Sequence, residues 1–312
     1  MEIIHLNYPI SLSDFPVEDQ VIAIGDFDGI HRGHQQVIGQ AQRKAKQCGA
    51  KSAVMTFHPH PREVLGKSMY ARSLAPFQDK MKRLKQLGID YTYVIHFNAS
   101  FAKLTPDQFV HQVLNKLSLK AVVVGFDFRF GHRGAGTVQT LRDLCGSDVD
   151  VSVVDSFQLD AMKVSSTSIR ELLSQGEIKA VTNYLGRPYA IVGTVIHGDA
   201  RGRQIGFPTA NLQLVESYVL PKNGVYAVTA VIDDKAYEAI MNIGNRPTFK
   251  SDHEAKSVEV HLFNFNESIY GQEIHVELME FVRDEKKFSS IDELVLQINE
   301  DIKKVKQMSL SC

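Results

Sequence analysis

The chain has 312 residues, 44% of them hydrophobic and 23% charged, with a formal net charge of −1 at pH 7. That length accommodates two domains, and the near-neutral balance supplies no basic face of the kind nucleic acid demands. The longest apolar runs, such as Ala121–Val124, fall far short of the ~20 residues that cross a bilayer.

From about residue 20 to 185, short apolar strands alternate with helical stretches. QVIAIG is followed by a helix near His34–Gln47, then by the strand SAVMTF. In PFQDKMKRLKQLG, Phe77, Met81, Leu84 and Leu87 recur at helical spacing. Next come the strand YTYVIHF, the helix PDQFVHQVLNKL, the strand AVVVGF, the helix TVQTLRDLC and the strand VDVSVVDSF. Continuously apolar strands alternating with helices predict a parallel sheet covered on both faces. After NYLGRPY the pattern changes: YAIVGTVIHG, GVYAVTAVID, KAYEAIMNIG, SVEVHLFNF and EIHVELMEFV are closely spaced and β-rich. They predict a small antiparallel barrel or sandwich. A final amphipathic helix, SSIDELVLQINEDIKKVKQM, has Ser289 or Ser290 as N-cap and Leu294, Ile298 and Ile302 on one face. The first thirty residues lack the pattern of a secretory signal. Cys48, Cys145 and Cys312 show neither zinc spacing nor a disulfide framework. A cytoplasmic protein with reduced thiols is expected.

Ligands of a parallel sheet bind outside the carboxyl ends of its strands, and three unusual stretches lie there. GDFDGIHRGH sets His31 and His34 beside Gly25, Gly29 and Gly33, an arrangement open to a metal site, an acid–base site or a phosphate cradle. A metal site would recruit His58 and His60 from FHPHP, yet no carboxylate or cysteine stands at ligand spacing around them. A helix starting near Gly33 would instead offer unpaired N–H groups to an anion. GFDFRFGHRGAGT places Asp127, Arg129 and Arg133 in a glycine-rich loop, and VSSTSIRELL opens a helix with Ser165, Ser166 and Thr167, followed by Arg170. Singly each reads equally as capping chemistry; together at one sheet edge they point to a triphosphate site. Neither a Walker A sequence nor G-x-G-x-x-G occurs.

GDFDGIHRGH resembles the HIGH-type motif of nucleotidyltransferases, and SSTSIR resembles its partner motif. With TFHPHP and GFDFRFG, the set is similar to the FAD synthetase domain of bacterial bifunctional riboflavin kinase/FMN adenylyltransferases. The resemblance implies attack by the FMN phosphate on the α-phosphorus of ATP, with positioning and charge neutralisation carrying the step. It implies that His31 and His34 bind the ATP phosphates, with Gly25, Phe27, Gly33, Asp127, Arg129, Ser165, Ser166, Thr167 and Arg170 on the nucleotide side. Phe57, His58, Pro59 and His60 would border the flavin nucleotide. One departure stands out: the family commonly has Asn where this chain has Asp26. A carboxylate near a triphosphate is repulsive unless a cation offsets it, so Asp26→Asn is expected to raise FAD formation.

In the second half, GTVIHGDARGRQIGFPTANL could be a mobile hairpin, and Glu259, alternating with valines, shares a strand face with His261. The order PTAN, RPTF, VEVH, YG, FVRDEKKF is similar to the flavokinase domain almost end to end. The resemblance implies a glycine-rich flap over the ATP phosphates, including Gly202, Gly206 and Pro208. It implies Mg²⁺ and nucleotide organised by Thr209 and Asn211, Glu259 as general base on the ribityl hydroxyl, and Arg283 near the flavin. The expectation is therefore a Rossmann-like nucleotidyltransferase domain over 1–183 and a small antiparallel β-barrel flavokinase domain with a terminal helix over 184–312. Its substrates would be ATP, riboflavin and FMN, with Mg²⁺ as cofactor and no nucleic acid or membrane partner. The alternatives are a chain keeping only the kinase activity, or a non-catalytic flavin- or nucleotide-binding regulator.

Overall fold

The computed structural model describes residues 1–11, 16–67, 70–198, 202, 205–245 and 256–309. The chain divides into two compact units, Met1–Ser166 and Thr167–Cys312. The RPTF stretch at 246–249 and Cys312 lie outside the described residues.

In the first unit, strands β1 (Glu2–Leu6), β2 (Gln20–Ile24), β3 (Lys51–His58), β4 (Tyr91–His96), β5 (Leu119–Gly125) and β6 (Asp150–Val154) form one sheet. All pairs are parallel, in the order β1-β4-β3-β2-β5-β6. Every residue of β2 is buried, which is why the run reads as uninterrupted apolar sequence. Alternate side chains serve two cores. Val21 and Ala23 pack with helices α1 (Arg32–Cys48) and α3 (Phe77–Gln86), through Val37, Ile38, Met81 and Leu84. Ile22 and Ile24 belong to the opposite core with Phe109 and Leu141, from α4 (Pro106–Gln112) and α5 (Val138–Cys145). A short helix, α2 (Pro61–Val64), follows β3, and the hairpin β7 (Gln158–Leu159) and β8 (Met162–Lys163) precedes α6 (Ser166–Gln175). The strand order reverses between β2 and β5, so the crevice at their carboxyl ends is the predicted ligand position.

Two local features differ from the sequence pattern. β1 is a five-residue edge strand with three exposed positions, too short and too wet to announce itself. The helix expected over PDQFVHQVLNKL stops at Gln112: Val113 leaves the helical region (φ −121, ψ −63) and the chain tightens into a 3₁₀ turn at Leu114–Lys116. Val113, Leu114 and Leu117 are all buried, a requirement that the tighter turn satisfies.

The second unit opens with α6, except for its first residue, and α7 (Ile178–Leu185), which lies against β14 and β9. Strands β9 (Tyr189–Ile196), β10 (Ala210–Leu214), β11 (Gly224–Ile232), β12 (Lys235–Asn245), β13 (Lys256–Leu262) and β14 (Glu273–Arg283) close a barrel in the order β10-β13-β12-β11-β14-β9. All neighbours are antiparallel. Periodicity alone leaves barrel and sandwich open; closure is supplied by β10, which begins within the PTANL stretch and pairs with both β9 and β13. The terminal helix α8 (Ile291–Ser309) packs Ile302 and Val305 on the barrel face formed by Val225, Ala227, Ile240 and Val282. Its N-cap is Ser290, whose Oγ accepts the Glu293 N–H at 3.2 Å. The Glu293 carboxylate accepts from the N–H and hydroxyl of Ser289, which lowers its pKa.

Candidate active sites

The first site is built on the turn between β2 and α1. Phe27 (φ 52) and Ile30 (φ 41) hold left-handed conformations that bulky residues seldom adopt, and both are buried. Glycine is needed at two points. A Cβ at Gly25 would stand 3.1 Å from the Phe27 ring, and one at Gly33 would stand 3.2 Å from the His31 ring.

His31 is the N-cap of α1, its Nδ1 accepting the His34 N–H at 3.2 Å. The two imidazoles stack at 3.6 Å between centroids, 19° from parallel, and Phe27 meets His34 edge-on at 5.3 Å. The helix thus begins at Arg32, and one histidine uses a helix-start N–H that an anion could otherwise take. His34 Nδ1 is buried with no hydrogen-bond partner among the described residues. Burial, then the nearby His31 and Lys80, drive the His34 pKa well below the ordinary 6.5. Folded His34 therefore stays neutral where the unfolded chain takes a proton, so stability falls as pH drops through about 6.5. Thermal unfolding of the first unit should occur at lower temperature at about pH 5.5 than at about pH 7.5, and His34→Gln should flatten that difference. An unchanged slope in the variant would assign the acid sensitivity to other groups.

Asp26 and Asp28 organise the turn around them. The Asp28 carboxylate accepts the N–H groups of Leu74 (2.9 Å) and Ala75 (3.3 Å), and its carbonyl accepts the Ser166 hydroxyl at 3.0 Å. Ser166 is thereby tied to the turn that carries His31; Thr167 and Arg170 follow in α6 within the second unit. The Asp26 carbonyl accepts from Thr56 Oγ1 (2.9 Å) and from Lys80 Nζ (2.8 Å). Asp26 Oδ2 lies 3.2 Å from His60 Nε2. Because His60 Nδ1 accepts the Arg62 N–H at 3.0 Å, the ring proton sits on Nε2 and points to Asp26. Burial raises the Asp26 carboxyl, which His60, Lys80 and Arg62 draw back down while Asp28 pushes it further up.

The remaining first-unit residues divide. His60 also lies 4.8 Å from the Tyr70 ring, and exposed His58 lies 4.7 Å from Phe77. Phe57 faces the opposite core, edge-on to Phe97 at 6.0 Å. Pro59 stands between the two histidines, half-buried. Asp127 is exposed and paired with Lys163 at 3.0 Å, and Arg129 is exposed beside it. Thr56 and Lys80 were not apparent as site residues. The signal for Lys80 was present, because it falls on the buried stripe of α3 among Phe77, Met81 and Leu84, where a charge is out of place. Among the described residues, no three His, Cys, Asp or Glu side chains gather as a metal site.

The second site is set by barrel register. Glu259 stands opposite Asn211 on β10 and opposite Asn242 on β12, and Asn242 in turn stands opposite Val225. Directly paired residues share a sheet face, so all four lie on the side covered by α8, to which Val225 packs. Val258 and Val260 are buried on the other face, while Glu259 and His261 are half-buried, as the alternation predicts. Glu259 and Asn242 line a cavity of ≈ 300 Å³ with Thr209, Arg283, Leu294 and Ile298. Gly202 lines it too, and Gly206 is in the left-handed region at φ 89. A second cavity of ≈ 260 Å³ is lined by Pro208, Thr209, Val260 and Tyr270, the last stacked on His197 at 3.9 Å. Thr209 is common to both.

Several contacts fix these walls. His261 Nδ1 donates to the Pro208 carbonyl at 2.7 Å, holding the PTAN segment against β13. Arg283 is committed: its Nε and Nη2 reach the Asp301 carboxylate at 2.8–3.0 Å, with Asp301 only 4% exposed. Asn242 and Asp301 were not foreseen, although Asp301 lies on the apolar stripe of α8 between Ile298 and Val305. A Cβ at Gly198 would overlap the Asn211 carboxamide. Gly198→Ala is therefore expected to displace Asn211 and lower the activity of this site roughly tenfold or more, since small misplacements are costly; an unaltered activity would release Asn211 from the site.

Both units have relatives among known proteins. Residues 16–168 match the FAD synthetase family and residues 185–309 match the riboflavin kinase family. A Bacillus subtilis protein named bifunctional riboflavin kinase/FMN adenylyltransferase is 43% identical over 303 residues, covering 96% of each chain. Proteins of the same name from Listeria monocytogenes (40% over 302 residues, 96% of each) and Escherichia coli K12 (36% over 295 residues, 93% of each) are also similar. A solved structure titled macrolide-efflux protein, from Streptococcus pneumoniae, superposes with TM-score 0.88 at 32% identity, over 97% of this chain and 99% of that one. Among the described residues of the present chain, no helix is long and apolar enough to cross a membrane.

Proposed function

The chain belongs to the bifunctional riboflavin kinase/FMN adenylyltransferase family, and on that premise we propose that its barrel phosphorylates riboflavin and its parallel-sheet unit adenylylates the resulting FMN, each from ATP. The observation that carries this is the coincidence of two family matches with two separate polar sites in one chain. The functional boundary we assign, 183/184, lies between the matches, which end at 168 and resume at 185; the compact units divide earlier, after Ser166.

In the barrel, the terminal ribityl hydroxyl of riboflavin must come within hydrogen-bond reach of Glu259. Riboflavin is therefore assigned to the ≈ 300 Å³ cavity that Glu259 lines, and ATP to the ≈ 260 Å³ cavity walled by Tyr270. Their reacting ends meet at Thr209, the residue both share. Glu259 takes the hydroxyl proton as the oxygen attacks the γ-phosphorus and ADP leaves. Thr209 and Asn211 offer hard oxygen donors without a dedicated protein cage, which fits Mg²⁺, an ion that keeps water and phosphate in its shell. Bound there, it would neutralise charge on the phosphates.

In the parallel-sheet unit, the FMN phosphate displaces pyrophosphate from the α-phosphorus of ATP. His31, His34 and the free N–H groups at the start of α1 hold the phosphates, with Gly25, Phe27 and Gly33 shaping the turn and Ser165 and Ser166 beside it. Asp127 and Arg129 flank the nucleotide, and Phe57, His58, Pro59 and His60 border FMN. A cytoplasmic location accords with the use of ATP and with the free thiols of Cys48 and Cys145. Incubation with riboflavin, ATP and Mg²⁺, followed by chromatography of the flavins, tests the whole reading. FMN and FAD together are expected; FMN alone would confine activity to the barrel, and neither product would end the proposal.

A further inference from the structure

Lys80 has no role in the mechanism above, yet its side chain is built into the first site. It is 8% exposed, and its Nζ donates to the Asp26 carbonyl at 2.8 Å and lies 3.4 Å from Thr56 Oγ1. Thr56 donates to the same carbonyl, so two donors fix the peptide that leads into the left-handed Phe27. A single neutral donor would have served that purpose. Burying an ammonium is costly unless opposite charge compensates it, and the carboxylates that act on Lys80 are those of Asp26 and Asp28.

Asp26 poses the converse problem. Its Oδ1 is buried without a partner among the described residues, and its Oδ2 has only the His60 Nε2–H at 3.2 Å. A carboxylate so placed repels a triphosphate unless its charge is matched. The charged and titratable groups that act on it are Asp28 on the same turn, His60 at the N-cap of α2, Arg62 on α2 and Lys80 on α3. Of the two cationic side chains, Arg62 is exposed and Lys80 is buried.

We propose that Lys80 is a positioning residue for adenylyl transfer: the buried counter-charge that cancels Asp26 and allows the His31–His34 turn to receive the ATP phosphates. It rests on assigning adenylyl transfer to this unit. Burial holds the Lys80 pKa below its ordinary value, and the Asp26 and Asp28 carboxylates act against that fall. Asp26 and Lys80 cancel, as would two neutral residues, whereas either alone unbalances the turn.

The test uses the full chain, with Lys80→Met, Lys80→Gln, Asp26→Asn and the double variant Lys80→Met/Asp26→Asn. KM for ATP and kcat are measured in FMN adenylylation, with riboflavin phosphorylation by the same samples as the control. Lys80→Met should raise KM for ATP by roughly tenfold or more with a smaller change in kcat. Asp26→Asn should lower it, and the double variant should return to within about threefold of the parent chain. Lys80→Gln retains a donor for the Asp26 carbonyl without the charge, and should behave as Lys80→Met even if the latter fails to fold. Unchanged KM in folded Lys80→Gln, or a double variant no better than Lys80→Met, would overturn the counter-charge role. If the parent chain forms FMN but no FAD, the adenylyl-transfer assignment itself falls, and this inference with it.

Discussion

Glu259→Gln is expected to lower kcat for riboflavin phosphorylation by about 10²–10⁴-fold while leaving FMN adenylylation unchanged. Glutamine keeps the shape and a hydrogen-bonding oxygen of the glutamate, so the register with Asn211 and Asn242 and the cavity wall are preserved. What it cannot do is take a proton from the attacking hydroxyl. The loss should therefore appear in kcat rather than in KM for riboflavin. Chromatographic separation of FMN from riboflavin, with FAD formation from supplied FMN measured in parallel, reads both activities. An undiminished phosphorylation rate would place the base elsewhere in the cavity, and equal loss of both activities would indicate damage to the fold.

Asp301→Ala should destabilise the barrel unit by about 3–5 kcal/mol, the usual cost of leaving one member of a buried ion pair alone. Arg283 is bound bidentately by a carboxylate that is 4% exposed, and Gln297 adds a bond to Asp301 at 3.1 Å. Without Asp301, the guanidinium would lose the carboxylate bound to it and remain beside the Phe288 ring. For a unit of this size the loss corresponds to a fall in Tm of about 10 °C or more. Calorimetry of the full chain should show the transition of the barrel unit moving while that of the parallel-sheet unit stays. The double variant Arg283→Met/Asp301→Leu should recover much of the loss, because two apolar residues leave no charge unpaired. A double variant as unstable as the single would show that the pair does more than satisfy itself. Arg283 also lines the riboflavin cavity, so its rigid anchoring shapes that wall even though its charge is already matched by Asp301.

Much of this molecule is legible in the order of its amino acids. The buried strands of the parallel sheet read as apolar runs because both faces are covered, and the barrel strands alternate because they are not. The two histidines of the β2–α1 turn, the serines that open α6 and Glu259 all stand in short motifs that carry the family resemblance, and their proposed roles come from that resemblance. Local signals of this kind survive in sequence because each depends on neighbours a few positions away. β1 escaped notice because an exposed edge strand of five residues carries little pattern. β10 escaped because its polar motif reads as a loop until β9 and β13 supply partners.

The partners of the buried charges needed the tertiary structure. The Lys80 ammonium meets the Asp26 carbonyl 54 positions away, and Arg283 meets the Asp301 carboxylate 18 positions away on a different element. In both helices the sequence contained an anomaly, a charged residue on an apolar stripe, but no indication of what would meet it. The row Asn211–Glu259–Asn242 likewise exists only because three strands are hydrogen-bonded in one register. Periodicity specifies which face of an element is buried; which distant residue lies across that face depends on sheet order, register and helix placement. Those are set by the packing of the whole unit.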